Sequence, residues 1–177
     1  MATPGFPYRL ERVGVVMRHD PSEPNEVDGV LNPAAGWADG TLYLLPRLVA
    51  ARNISRVGLA RVELEAGVPV GVERIGVVLE PEASWERGPH NAGVEDPRTT
   101  WLPALGVHLM TYVAYGAAGP RIALAVSEDL RRWRRLGPVV YRWEEAVEVD
   151  LNLYRNKDAL FFPEPVTAPD GEPSLAL

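Results

Sequence analysis

The sequence predicts an all-β protein built from repeated groups of short strands, and three observations support that fold class. Its 177 residues include 17 prolines and 16 glycines, a density that suits many turns and few long helices. Several short runs alternate apolar and polar residues, as half-buried strands do. The same order of motifs then returns roughly 60 residues later, a period typical of repeated architectures. With 46% of its residues hydrophobic, the chain is able to bury a core.

The first group of strands precedes residue 80. Residues 10–20 alternate loosely and predict one strand, which ends at a turn over residues 21–24. The dipeptide Asn32-Pro33 comes next and is followed by a second turn at residues 39–40. Three further strands are predicted after that turn, at residues 42–45, 55–62 and 72–78.

The same order of motifs returns in the second half of the chain. Asp96 and its following proline lie 64 residues after Asn32. Three predicted strands follow, at residues 107–112, 120–126 and 133–139. A third unit begins near residue 156, because Asp158 lies 62 residues after Asp96, and it continues through a turn at residues 169–171.

Units of about 60 residues with four strands each predict a β-propeller. We therefore expect an all-β partial propeller of two to three four-stranded blades, in one domain over residues 1–177. Its units are expected at about residues 25–90, 91–150 and 151–177, the last of them incomplete. The one helix-like segment, residues 127–133, is interpreted as a short turn with Trp133 packed between blades.

Charge and composition narrow the classes of partner. The formal net charge of −6 argues against nucleic acid, because a phosphate-binding surface needs a basic excess. There are no cysteines, which excludes disulfides and thiolate metal sites, and His19, His90 and His108 are too scattered to suggest a metal site. Residues 1–7 do not resemble a secretory leader, and no stretch is apolar enough to span a membrane. A cytoplasmic protein is expected.

The best candidate for chemistry is the stretch at residues 93–98. It holds two adjacent carboxylates, Glu95 and Asp96, beside a proline that restricts the backbone and a positively charged Arg98. A purely structural alternative is that these three charged side chains only satisfy one another. Because a propeller brings equivalent loops to one end of its channel, we expect Asn32, Asp96 and Asp158 to converge there.

Several ordered motifs resemble the glycoside hydrolase family 130 proteins, from about Asn32 onward. The motifs are Gly93-Val94-Glu95-Asp96-Pro97-Arg98, Met110-Thr111-Tyr112, Gly119-Pro120-Arg121-Ile122-Ala123-Leu124-Ala125, Trp133 with Leu136-Gly137, Asn156-Lys157-Asp158-Ala159 and Phe162-Pro163-Glu164-Pro165. The resemblance implies a five-bladed β-propeller and an activity among β-mannoside phosphorylases and related hydrolases. Family members are nearly twice as long, so this chain resembles their first two to three blades.

The resemblance also implies roles for individual residues. Asp96 matches the family's proton donor to the glycosidic oxygen. Inorganic phosphate is the implied co-substrate, with no other cofactor, and its candidate ligands are Arg121 and Lys157. Candidate ligands for sugar hydroxyls, or supports for the acid, are Arg47, Asn53, Arg98 and Asp158. A structural alternative remains for each, because Arg121 could pair with a neighbouring carboxylate and Lys157 could be a solvated turn residue.

Two expectations concern the acid itself. Asp96 needs a raised pKa to hold a proton near neutrality, through burial or a close like charge. Glu95 is expected to point away from Asp96, because neighbouring side chains on an extended backbone lie on opposite sides. Trp37, Trp85, Trp101, Trp143 and Tyr154 are open to two interpretations, stacking on sugar faces or packing between sheets.

The function predicted is inverting cleavage of a β-mannoside or similar glycoside, with phosphate or water as nucleophile. One alternative is a truncated propeller that binds sugar or assembles without catalysis. Another is a five-bladed glycosidase of a different family that uses carboxylates from several blades. The expected partner is a small-molecule glycoside, without nucleic acid or membrane. A homo-oligomer is also expected, because an open propeller leaves apolar sheet faces uncovered.

Overall fold

The computed structural model describes residues 11–177 and confirms the all-β class. In the described part of the chain, eight strands make one mixed sheet, and a short two-stranded hairpin follows it. The strands of the sheet are β1 (Gly29–Ala38), β2 (Thr41–Ala50), β3 (Ile54–Glu65), β4 (Val68–Leu79), β5 (Ala92–Leu102), β6 (Val107–Gly116), β7 (Gly119–Ser127) and β8 (Arg134–Pro138). The hairpin consists of β9 (Val166–Thr167) and β10 (Pro173–Ser174), and two 3₁₀ turns cover Ser84–Glu86 and Leu151–Leu153.

The first four strands form one antiparallel group, in which each strand pairs with the next along the chain. The turn between β1 and β2 consists of Asp39 and Gly40, whose φ angles are 49° and 72°. Left-handed conformations at both residues define a type I′ turn, which matches the twist of the strands that it joins. The predicted turn and the three predicted strands of this unit are therefore present.

Strands β5 to β8 form a second antiparallel group with the same order. The two groups are joined by a short parallel pairing, in which Ile54 and Ser55 of β3 lie opposite Ala92 and Gly93 of β5. A Cβ atom at position 93 would lie 2.2 Å from the carbonyl oxygen of Ser55, and φ there is +125°. Only glycine fits this junction without displacing the backbone.

The hydrophobic core lies between the two groups. Leu45 and Val57 enter it from the first group, and Val94, Met110 and Tyr112 enter it from the second, all at most 2% exposed. Trp133 packs against the same core, as expected for the short turn that precedes β8. The terminal strands of the pairing order, β1 and β8, do not pair with each other, so the sheet is open. This open array is the partial propeller that the sequence predicts.

The segment after β8 contains little regular structure but contacts the second group. Thr100 Oγ1 donates a hydrogen bond to the carbonyl of Phe161 at 3.0 Å, and Thr111 Oγ1 donates one to the carbonyl of Ala159. The Asn156 side chain accepts from the backbone N–H of Ile122 at 3.0 Å. The segment that carries Asp158 is therefore held against β5, β6 and β7.

The strand predicted at residues 10–20 is wrong for the part that the structure describes, because residues 11–20 contain no strand. Charged side chains bind this segment instead. Arg74 Nη2 donates to the carbonyl of Arg18 at 2.5 Å, and Glu26 accepts from the backbone N–H of Asp20 at 3.4 Å. Residues 1–7, from which the lack of a leader was inferred, lie outside the described residues.

Strands β1 to β4 fall within the first predicted unit and β5 to β8 within the second. The division into units at about 25–90, 91–150 and 151–177 remains a prediction. Between residues 11 and 177, no helix has the length and apolar character needed to cross a bilayer.

Candidate active site

The candidate site begins with two matching irregularities, in the first strand of each antiparallel group, β1 and β5. The pairing of β1 with β2 skips residues 32–33, and the pairing of β5 with β6 skips residues 96–97. The φ angles of Asn32 and Asp96 are 43° and 47°, and that of Asp158, the matching position in the predicted third unit, is 63°. The skipped residues in β1 and β5 form β-bulges, and Asn32 and Asp96 adopt the left-handed conformation within them. A bulge also tolerates proline, which explains Pro33 and Pro97 inside strands.

The three equivalent positions lie close together. Asn32 Nδ2 donates a hydrogen bond to Asp96 Oδ1 at 2.8 Å. Asp158 approaches the same end through Arg98, whose Nη2 lies 3.8 Å from Asp158 Oδ1. Asp96 is itself buried and contacts Asn32 directly, whereas Asp158 lies near Arg98, two residues further along β5.

Arg47 of β2 holds both adjacent carboxylates. Its Nη1 lies 3.1 Å from Asp96 Oδ1, its Nη2 lies 2.8 Å from Glu95 Oε1, and its Nε donates to Ser55 Oγ at 2.9 Å. The side chains of Arg47, Glu95 and Asp96 are 12%, 8% and 7% exposed. The expectation that Glu95 points away from Asp96 is wrong, because the bulge replaces the extended backbone on which it rested.

The two carboxyl groups differ in how firmly they keep their charge. Burial raises the pKa of Glu95 and the charge of Asp96 adds to this effect, while Arg47, Ser55 and Lys157 act in the opposite direction. Burial also acts to raise the pKa of Asp96, but hydrogen bonds from Asn32 and Arg47 outweigh it and hold that pKa below its ordinary value. The expectation of a raised pKa at Asp96 is therefore wrong for the ligand-free chain.

The order of titration provides a direct check. We expect Glu95 to take up its proton at a higher pH than an ordinary glutamate, and Asp96 at a lower pH than an ordinary aspartate. Carbon-13 NMR of the side-chain carboxyls in the chain and in Glu95→Gln identifies the two titrations. A first protonation at Asp96 would contradict this electrostatic description.

The remaining predicted residues differ in how closely they approach the cluster. Arg98 Nη1 donates to the carbonyls of Asp96 and Pro97 at 3.2 and 3.1 Å, so it also braces the bulge. Lys157 is exposed and near enough to lower the pKa of Glu95. Its neighbour Asp158 is also exposed.

Arg121 and Asn53 form hydrogen bonds with groups other than the carboxylates of Glu95 and Asp96. Arg121 Nη1 donates to the carbonyl of Pro120 at 2.9 Å, and that carbonyl also accepts from the backbone N–H of Asn156 at 3.4 Å. Arg121 therefore lies beside the segment that leads to Lys157. Asn53 Nδ2 instead donates to Asn91 Oδ1 at 3.0 Å, at the junction of β3 and β5.

Sequence reasoning missed Ser55 as a member of the cluster and Glu95 as a partner of Arg47. Ser55 lies two residues before Val57, which pairs with Arg47, so both side chains share one face of the hairpin formed by β2 and β3. The register of that hairpin is the signal that could have found Ser55. In the part of the chain that the structure describes, no three His, Asp or Glu side chains are grouped to hold a metal ion.

Fold and site together define a propeller-type protein with a carboxylate site where its repeats meet. The model of glycoside hydrolase family 130, described as beta-1,4-mannooligosaccharide phosphorylase, matches residues 7–167, and the chain belongs to this family. The resemblance seen in the sequence is confirmed. The alternative hypothesis that the chain is a glycosidase of a different family is therefore excluded. The family supports a carbohydrate-active function of the mannoside phosphorylase or glycosidase type.

Several solved structures are similar to this chain. A candidate glycoside hydrolase from Bacteroides ovatus is 28% identical with a TM-score of 0.59, and the match covers 75% of this chain and 40% of that one. A candidate glycoside hydrolase from Parabacteroides distasonis is 25% identical with a TM-score of 0.59, over 75% and 42%. The comparison with curated proteins found no match.

A third structure comes from work on the GH130 family of mannoside phosphorylases, which contains glycoside hydrolases that target beta-1,2 mannosidic linkages in Candida mannan. It is 25% identical with a TM-score of 0.53, over 81% of this chain and 47% of that one. The chain thus spans less than half the length of these three relatives.

Proposed function

We propose that this chain supplies the acid side of a site that cleaves a β-mannoside with inversion, and that Asp96 is the proton donor. The observation that carries the proposal is the place of Asp96. It is a buried carboxyl at the meeting point of the repeats, bound by Asn32 and Arg47. Membership of glycoside hydrolase family 130 supports the class of reaction.

The proposed reaction needs one acid and one nucleophile. The acid protonates the glycosidic oxygen while the nucleophile attacks the anomeric carbon from the opposite face of the sugar ring. Inorganic phosphate needs no activating base, so a single carboxylic acid suffices for phosphorolysis. Arg121 and Lys157 are proposed as its ligands, because their segments adjoin at Pro120 and Asn156. With water as the nucleophile, the same acid would serve a hydrolase.

Asp96 must gain a proton before it can give one. The hydrogen bonds that lower its pKa in the free chain favour the carboxylate. A phosphate dianion bound nearby brings a like charge, and a bound sugar displaces water, and both effects raise the pKa of a carboxyl group. We therefore propose that Asp96 takes up its proton as the ligands bind.

The other assigned residues are proposed to position the sugar. Arg98 and Asp158 approach each other at 3.8 Å, and both side chains are partly open to solvent, so their polar groups are able to bind sugar hydroxyls. Arg47 fixes the orientation of Asp96 through its guanidinium group. Asn53 is proposed as a sugar ligand that must first release Asn91.

We expect Asp96→Asn to lower turnover of β-1,4-mannobiose by about 100- to 10,000-fold, the range that general acid catalysis contributes. Released mannose and mannose phosphate should be measured with and without added phosphate. The matched control is Glu73→Gln. It removes a carboxylate from an exposed ion pair with Arg61 between β3 and β4, and it should leave turnover unchanged. Equal turnover in the parent chain and Asp96→Asn would contradict the assignment.

A second candidate function is binding of a glycoside without catalysis. It is favoured by the coverage of 40–47% of the three relatives, because more than half of each relative's chain has no counterpart in this one. Glycoside binding with no turnover, with or without phosphate, would support it over the first proposal. Association of the chain into a homo-oligomer is also proposed, because the open sheet leaves apolar surface uncovered. Exposed apolar side chains on the last segment support it, namely Val140, Trp143, Leu153, Leu160 and Phe162.

A further inference from the structure

The repeat that brings Asn32 and Asp96 together continues along the same two strands to a pair of tryptophans. Trp37 lies five residues after Asn32, and Trp101 lies five residues after Asp96. The side chains of both remain open to solvent, at 58% and 45% exposure. Two large aromatic rings at equivalent positions of neighbouring repeats are thus presented together rather than buried in the core.

The two tryptophans line one cleft between β1 and β5. Its volume is about 580 Å³, within the usual range for small-molecule sites. Small residues, Ala35 and Gly36, contribute to its lining. Thr99 Oγ1 donates a hydrogen bond to the carbonyl of Ala35 at 2.7 Å, and this bond links β5 to β1 beside the cleft.

The cleft also carries polar groups suited to hydroxyls. Asp39, in the turn after β1, and Glu128, just after β7, are both exposed and line it. Within residues 11–177, neither carboxylate forms an ion pair or accepts a side-chain hydrogen bond. The ring of Trp101 is braced by that of the buried His108, with ring centres 4.7 Å apart and planes inclined at 55°.

The cleft is separate from the carboxylate cluster. Five residues of extended strand span about 16 Å, so the tryptophans lie well along β1 and β5 from Asn32 and Asp96. Neither Trp37 nor Trp101 is among the side chains that form hydrogen bonds with Arg47, Glu95 or Asp96. A ligand in the cleft is therefore able to bind without occupying the proposed catalytic position.

We propose that this cleft is a second carbohydrate-binding site, which takes a neutral sugar unit against Trp37 and Trp101. The flat apolar face of an indole fits the C–H face of a pyranose ring, while Asp39 and Glu128 accept hydrogen bonds from its hydroxyls. The two carboxylates disfavour anionic ligands and therefore select a neutral glycan over a sugar phosphate. This inference rests on the carbohydrate class of the proposed function, but not on catalysis.

Calorimetry with β-1,4-mannotriose and the whole chain tests the proposal. We expect the double variant Trp37→Ala/Trp101→Ala to weaken binding at this site by about tenfold or more, since stacked rings contribute energies of this order. Asp96→Asn should leave that binding unchanged, and so should Trp143→Ala, which removes an equally exposed tryptophan elsewhere. Loss of all binding in Asp96→Asn, with unchanged binding in the double variant, would overturn the proposal. So would the absence of binding by the parent chain at millimolar ligand.

A second pair of substitutions guards against loss of folding. Asp39→Asn/Glu128→Gln changes only exposed side chains, so the fold should persist. Weaker binding by this variant supports the site, and unchanged binding overturns it. Failure of the proposed cleavage is distinguishable, because it shows as absent turnover while binding that depends on the tryptophans persists.

Discussion

Replacing Gly93 with alanine is expected to lower the free energy of unfolding by about 4 kcal/mol or more, among the largest effects of a single substitution. The new Cβ would lie 2.2 Å from the Ser55 carbonyl oxygen and 2.7 Å from the Ser55 nitrogen, which are backbone atoms that no side-chain rotation can move. Relief requires separating β3 from β5, whose parallel pairing joins the two strand groups. Chemical denaturation followed by circular dichroism measures the loss.

Gly137→Ala is the matched control for this prediction. Gly137 also has a positive φ, +108°, but a Cβ there would meet nothing within 4 Å. Its expected cost is the backbone strain alone, about 1–2 kcal/mol. Similar losses for the two variants would show that the contact with Ser55 does not determine the stability of the junction.

Arg47→Ala is expected to cost about 3–5 kcal/mol near neutral pH, because it leaves two buried carboxylates without their shared cation. The side chains of both partners are more than nine-tenths buried, and the Arg47 side chain is only 12% exposed. Arg61→Ala is the control. Its pair with Glu73 is about half exposed on each side, so its expected cost is about 0–1 kcal/mol.

The pH dependence separates this explanation from a simple loss of packing. The pKa of Asp96 is lowered on folding, so its contribution to stability is present above the pKa of an unfolded aspartate and is lost as the pH falls through its folded pKa. Removing Arg47 abolishes much of that contribution. The difference in unfolding free energy between the parent chain and Arg47→Ala should therefore shrink toward pH 3. A constant difference from pH 7 to pH 3 would contradict the electrostatic origin.

Much of the fold could be predicted because its strands carry local signals. The turn at Asp39-Gly40 and the alternation after residue 55 are readable from adjacent residues. The recurrence of Asn32-Pro33 as Asp96-Pro97, 64 residues later, predicted that the strands form repeated groups. The strand expected at residues 10–20 is wrong for a non-local reason, because Arg74, 56 residues after Arg18, binds that segment together with the nearer Glu26.

The site was less predictable, because its geometry depends on departures from regular structure. Prolines at positions 33 and 97 suggest loops, yet both lie inside strands at bulges. The bulge at Asp96 directs both adjacent carboxylates to Arg47, a result that alternation on an extended strand excludes. Ser55 joined the cluster only through the register of a hairpin. The motifs thus indicated the stretch that holds the candidate cluster, whereas the contacts within the cluster required three-dimensional pairing.

The left-handed backbone shared by Asn32, Asp96 and Asp158 limits which residues each repeat can offer at this place. Apart from glycine, asparagine and aspartate adopt that conformation at the lowest cost. An interchange of amide and carboxyl at any of the three positions therefore alters the number of acidic side chains there while preserving the backbone conformation. Each of these positions is therefore able to gain or lose an acidic group by exchange of an amide nitrogen for a carboxyl oxygen, with no change in the path of the backbone.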